Sequence, residues 1–173
     1  NKNSSVLEKK IAITFDDGPN EIYTPQVLDL LKKYEATATF FCIGKHIEQH
    51  PVIFKRIIDE GHLIGNHSYS HSNHFGFYNT QQVLDEIQKT NELVEKLTGE
   101  KMSYFRPPFG VTNPSIAKAI KETKHITFGW NIRSLDTVIK SEQKIINRIT
   151  KKVAPGSILL LHDSHDRIIP VLE

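Results

Sequence analysis

A chain of 173 residues with 38% hydrophobic and 24% charged side chains can bury one sizeable core, leaves little room for a second module, and with only 9 Gly and 8 Pro is neither fibrous nor disordered. Its 22 basic and 20 acidic side chains nearly cancel, and no run of like charge reaches the length of a nucleic-acid or membrane arm, so charge names no partner. The longest apolar stretches, such as "ILLL" at 158–161, fall far short of the roughly 20 residues of a membrane helix, and the single cysteine, Cys42, can close no intramolecular disulfide.

In chain order, a short β-rich run, a polar or Gly/Pro-rich turn and a helical pattern alternate from end to end, the rhythm of an α/β protein with a mainly parallel sheet. The start "NKNSSVLEKK" has no apolar signal core, so a targeting segment is expected to be absent or removed. A strand is predicted at 11–15, and Asp16, Asp17, Gly18 and Pro19 follow it as a sharp turn. Thr24 with Pro25 is predicted to cap a helix whose inner face carries Val27, Leu28 and Leu31. The strand at 38–43 holds Cys42 as a buried structural thiol. Pro51 opens a second helix, with Ile53, Phe54, Ile57 and Ile58 inward and Gly61 at its end, and a strand at 62–65 runs into "NHSYSH". Thr80 begins a long helix through Val83, Leu84, Ile87, Val94 and Leu97 to Gly99. A strand at 103–105 leads to "RPPFG", Asn113 with Pro114 starts another helix, a strand at 125–130 leads to "NIRSLD", Ser141 starts one more helix, and a strand at 157–161 ends at His162 and Asp163.

The unusual polar residues all follow strands: Asp16 and Asp17, His67 and His71, Arg106, Asp136, and His162 with Asp163. In a parallel barrel or open sheet the carboxyl ends share one face, so these scattered positions become one candidate site. His67 and His71, four apart, point at one centre if they share a helical turn; taken alone they are equally two loop histidines. Two neighbouring carboxylates beside an apolar strand need a cation or donors to compensate them, although an aspartate-rich turn or helix cap accounts for such a pair too. One Asp with two His makes a three-ligand set that leaves positions open for water, and the second Asp is then free as a base. In "RPPFG" two prolines stiffen the backbone that presents the amides of Phe109 and Gly110, either of which can face an oxyanion, and Arg106 can hold a carboxylate in a bidentate pair. His46, His50, His62, His74, His125 and His165 have no such spacing and are read as structural or surface residues.

"TFDDGP", "HSYSH", "RPPFG" and "LLLHD" resemble four ordered motifs of the polysaccharide deacetylases, carbohydrate esterase family 4, over about residues 9 to 166. The resemblance implies a single catalytic domain over 1–173 with a distorted (β/α) barrel of seven or eight strands. It implies that Asp17, His67 and His71 bind a divalent metal, usually Zn2+, with Co2+, Mn2+ or Ni2+ as substitutes, and that Asp16 is the general base, oriented by Arg106. It makes His162 the general acid tuned by Asp136, the Phe109 amide an oxyanion donor, and Trp130, Leu160 and Pro107 the substrate pocket, with Ser68 bracing the histidine loop. The implied reaction removes N-acetyl groups from an N-acetylglucosamine polymer such as peptidoglycan, chitin oligomers or poly-N-acetylglucosamine. The expected protein is a monomer, secreted or in the cell envelope, that binds no nucleic acid and has no transmembrane segment. An O-acetyl xylan esterase and a non-catalytic sugar-binding homologue are the other readings, while phosphoryl transfer lacks a Gly-rich phosphate loop beside "FDDG". Two features depart from the family pattern: Asp136 is followed by Thr137 where Trp is usual, and only ten residues follow Asp163, so either the sequence is cut short or the barrel is open there.

Overall fold

A computed structural model describes residues 10–173, so the expectation about a signal segment at the start lies outside the described residues. Seven strands, β1 (Ala12–Asp16), β2 (Thr39–Cys42), β3 (Leu63–Asn66), β4 (Tyr104–Phe105), β5 (Ile126–Thr127), β6 (Ile132–Arg133) and β7 (Ile158–His162), pair in the order β5-β4-β3-β2-β1-β7-β6, every pairing parallel. A flat sheet of this size would hold its edge strands about 29 Å apart, six spacings of about 4.8 Å. Yet β5 and β6 are the two edges, and a link from Thr127 to Ile132 reaches at most about 18 Å. The sheet therefore curls into an incomplete barrel. The opening lies between β5 and β6, because β7 is paired on both sides.

This arrangement corrects one strand. The predicted strand at 125–130 shortens to Ile126–Thr127 at one edge, an unpredicted strand at Ile132–Arg133 forms the other, and the stretch between crosses the opening. Its carbonyls at Phe128 and Gly129 face inward and accept from the Arg106 guanidinium instead of joining a ladder.

Strand alternation sorts side chains between two interiors. Phe15, Phe40, Cys42, Leu159 and Leu161 face outward into a core completed by helices α1 (Tyr23–Lys33), α2 (Gly44–Gln49), α3 (Pro51–Asp59) and α7 (Ile168–Leu172), contributing Leu28, Ile47, Phe54 and Ile168. Their alternates, Ala12 and Thr14, Thr39 and Phe41, and Ile158, line the barrel bore. A second core joins α4 (Thr80–Thr98) and α5 (Pro114–Thr123) to Phe105, while α6 (Glu142–Thr150) buries Ile145. Cys42 is fully buried, as expected.

Helix signals hold in most places. Asn79 and Gln82 form a capping box on α4, Gly99 closes it in the left-handed conformation, and Asn113 and Ser141 cap α5 and α6. α1 departs from expectation: Asn20 accepts from the amides of Ile22 and Tyr23, and Thr24 turns its hydroxyl inward to Asp163 instead of capping. No helix among the described residues is long and apolar enough to cross a membrane.

Candidate metal centre and its flanks

Five strand-end loops meet at the carboxyl face, and the backbone there is left-handed at non-glycine positions. Asp17 (φ 77°), Ser68 (φ 65°), His71 (φ 49°), Phe109 (φ 58°) and Leu135 (φ 60°) all adopt it. Each such residue costs on the order of 1–3 kcal/mol unless its surroundings hold it, and strain of this kind gathers at functional sites.

The surroundings hold them with named bonds. The Asp17 carbonyl lies 2.6 Å from His46 Nδ1 on α2. Asn66 at the end of β3 accepts from the Ser68 amide at 2.8 Å, and Ser68 Oγ accepts from the His71 amide at 3.1 Å. Glu86 on α4 takes the amides of Tyr69 and Ser70 and the Ser70 hydroxyl at 3.0, 2.7 and 2.8 Å. His67 and His71 thus converge from a braced loop, which replaces the helical turn suggested by their spacing.

Among the described residues, Asp17, His67 and His71 form the group able to hold a metal ion, with ligand atoms all within 4.8 Å of one another. His67 Nε2 and His71 Nε2 lie 3.5 and 3.4 Å from Asp17 Oδ1. His67 Nδ1 is 2.6 Å from the Arg106 carbonyl, so Nδ1 donates there and Nε2 faces Asp17, where it can carry a proton to the carboxylate or offer its lone pair to a cation. Burial pushes the Asp17 carboxyl up, but the hydrogen bond from His67 and the charges of His67, His71 and His162 outweigh it and hold it at about 2. One ionised oxygen donor and two imidazole nitrogens suit a borderline first-row cation such as zinc, so these residues fit the metal that the motifs imply.

Asp16 sits beside this centre and is bound differently. Arg106, fully buried, donates through Nη1 to Asp16 Oδ1 at 2.6 Å and to Thr14 Oγ1 at 2.8 Å. Its Nε and Nη2 go to the carbonyls of Phe128 and Gly129, so the pair is single rather than bidentate. The guanidinium lies 4.0 Å from the Phe41 ring centre, closing the bore beneath the site.

On the opposite flank, Asp136 collects histidines. His162 Nδ1 is 2.9 Å from Asp136 Oδ1, and the His162 amide donates to Oδ2 at 2.8 Å. The Ser134 hydroxyl and the Thr137 amide also donate to Oδ1, at 2.8 and 3.1 Å. His165 Nε2 lies 3.4 Å from Oδ2 without hydrogen-bond alignment, an electrostatic neighbour only. Burial pulls the His162 imidazole down in pKa, but its bond to Asp136 and that carboxylate's charge win and raise it. His162 Nε2 then points to within 4.0 Å of Asp17 Oδ2.

A cavity of about 260 Å³ opens over these groups, walled by Phe109, Gly110, Trp130, Arg133, Thr137 and Leu160. Thr137 and Arg133 occupy the wall where the usual Trp is missing. Gly110 is required there: a Cβ on it would stand 2.5 Å from the Trp130 ring. The Gly110 amide is consumed by the turn, donating to Pro107, which leaves the Phe109 amide as the candidate oxyanion donor. Pro107 is buried behind the turn and takes no part in the cavity wall, contrary to the pocket role implied for it. Sequence reasoning missed His46, Asn66, Glu86 and His165, and of these only the second carries a signal, its place directly before "HSYSH".

A family profile described as polysaccharide deacetylase matches residues 3–127. The chain is 37% identical over 175 residues to a peptidoglycan-N-acetylglucosamine deacetylase of Bacillus cereus, covering 95% of this chain and 63% of that protein. It is 40% identical over 159 residues to the peptidoglycan-N-acetylmuramic acid deacetylase PdaA of Bacillus subtilis, covering 90% of this chain and 60% of the relative. The chain therefore spans less than two thirds of either. Among solved structures it is similar to the peptidoglycan deacetylase PdaC from Bacillus subtilis, with a TM-score of 0.89 and 32% identity over 95% of this chain and 80% of that one.

Proposed function

The chain belongs to the polysaccharide deacetylase family, and on that premise we propose that it is a zinc-dependent hydrolase that removes N-acetyl groups from peptidoglycan outside the cytoplasm. One observation carries the reading: an Asp–His–His set with its ligand atoms within 4.8 Å stands between a carboxylate pinned by a buried arginine and an imidazole pinned by a buried aspartate. That is a metal, a base and an acid in one cleft, the inventory for hydrolysing an amide.

Asp17, His67 and His71 would hold the ion. When bound, zinc supplies Lewis acidity towards a carbonyl oxygen and lowers the pKa of water towards about 7. Asp16 accepts the proton of the attacking water at Oδ2, because Oδ1 is committed to Arg106. The Phe109 N–H donates to the oxyanion as it develops on the acetyl oxygen. His162, whose protonated form Asp136 favours, delivers a proton from Nε2 to the departing sugar nitrogen, so that acetate and a free amine separate. Trp130 and Leu160 line the space for the acetyl methyl group. The names of the relatives favour peptidoglycan over acetylated xylan as substrate. Acetate release from peptidoglycan, compared with acetyl xylan and repeated with Asp16→Asn, tests the proposal. Release from peptidoglycan that falls roughly 100-fold in the variant is expected, and release from xylan alone would reassign the substrate.

A further inference from the structure

The barrel has a second chamber at the end away from the reaction. Ala12, Thr39, Leu63, Tyr104 and Ile158 are the first residues of β1, β2, β3, β4 and β7, and all of them line a cavity of about 210 Å³ at the amino end of the bore. Phe41 and Thr14 lie one strand repeat deeper and touch Arg106, the ring at 4.0 Å from the guanidinium and the hydroxyl at 2.8 Å from Nη1. The layer that floors the catalytic cleft thus closes this chamber. No lining residue is charged, and Phe41, Tyr104 and Phe128 set three aromatic rings in its wall, two of them edge to face with centres 5.2 Å apart. Leu63 is 55% exposed and Phe128 37%, so the mouth presents apolar surface to water, a mark of a binding site when such surface is contiguous. The Thr14 hydroxyl is committed, donating to the Leu159 carbonyl and accepting from Arg106. Those of Thr39 and Tyr104 make no hydrogen bond among the described residues.

An apolar cavity of roughly 150 Å³ admits a benzene ring, so this one has room for one or two fused rings. Rings stack and tilt favourably against aromatic walls. A charge would be stripped of water with no opposite charge to meet it, which is costly. We propose that the amino end of the bore is a binding site for one small uncharged aromatic molecule, of one or two rings with a hydrogen-bonding group at its edge, held against Phe41, Tyr104 and Phe128. The site lies at the opposite end of the barrel from Asp17, His67 and His71 and does not depend on what the cleft hydrolyses.

Calorimetric titration of the zinc-loaded protein with indole tests the site, with tryptamine, the same ring carrying an ammonium group, as the charged comparison. Wild type is expected to take up indole saturably at one equivalent and to bind tryptamine at least tenfold more weakly. Leu63→Lys places a charge at the exposed mouth, and Ala12→Leu fills the chamber from a different strand. Each is expected to weaken indole tenfold or more, about the loss of two buried methylene contacts. Neither position belongs to the catalytic machinery, and the two changes differ in kind, so a folding defect in one variant leaves the other to decide. No saturable uptake by wild type, or affinity within twofold of wild type in both variants, overturns the site. Tryptamine that displaces indole with equal affinity overturns the uncharged class assigned to its ligand.

Discussion

Replacing Asp163 by Asn removes a carboxyl that the fold holds in an unfavourable place. The side chain is fully buried; Oδ2 accepts from Thr24 Oγ1 at 2.5 Å, and Oδ1 has no partner among the described residues. Burial, only partly opposed by the Thr24 bond, pushes its pKa up to about 7 from the ordinary 3.8. Between those values the unfolded chain has lost the proton and the folded one keeps it, so this group's contribution to stability declines as pH rises from about 4 to about 7 and is level above. At about 1.4 kcal/mol per pH unit the gap is worth about 4 kcal/mol. Asn keeps the shape and the Thr24 contact and does not titrate. Urea unfolding of metal-stripped wild type and Asp163→Asn at several pH values from 4.5 to 8 isolates the effect, because other titrating groups cancel in the difference. The variant should gain on wild type by several kcal/mol across that window and outlast it at pH 8. A difference that stays flat with pH, or one that moves the other way, would refute the reasoning.

Three other expectations follow from the geometry. Arg106→Met leaves the Asp16 carboxylate and the Phe128 and Gly129 carbonyls without their donor, so unfolding free energy should fall by about 3–5 kcal/mol in urea titrations. Asp136→Asn withdraws the charge that raises the His162 pKa; the acid form is then lost at lower pH, and the alkaline limb of the kcat–pH profile should move towards acid. Gly18→Ala puts a Cβ 2.5 Å from Asp163 Oδ2, which should cost about 1–3 kcal/mol in thermal unfolding and lower kcat by displacing the adjacent Asp17.

Much of the fold was readable because its signals are local. Thr80, Asn113 with Pro114, and Gly99 each act within one helical turn, and each lies where expected. Strand ends were readable for the same reason: apolar runs stop where polar residues begin, so Asp16, His67, Arg106 and His162 could be placed on one face from spacing alone. The failures share a cause. β5 and β6 have two residues each, too few to show a period, and the apolar "HITFGW" concealed a crossing from one sheet edge to the other. The His67–His71 spacing suggested a helix because left-handed backbone at Ser68 and His71, which brings the rings together without one, has no glycine to mark it. His46, Glu86 and His165 act on the site from 29, 16 and 29 positions away from their partners Asp17, Ser70 and Asp136. Contacts at that separation are made by the fold and leave no pattern in the sequence.

The central claim is that Asp17, His67 and His71 together form one cation site beside an independent base. Calorimetric titration of metal-stripped protein with zinc chloride tests it most directly. The account predicts uptake of one equivalent by wild type and by Asp16→Asn, and loss of that uptake in Asp17→Ala and in His71→Ala. Wild-type protein that takes up no zinc, or Asp17→Ala protein that binds it with wild-type affinity, would contradict it.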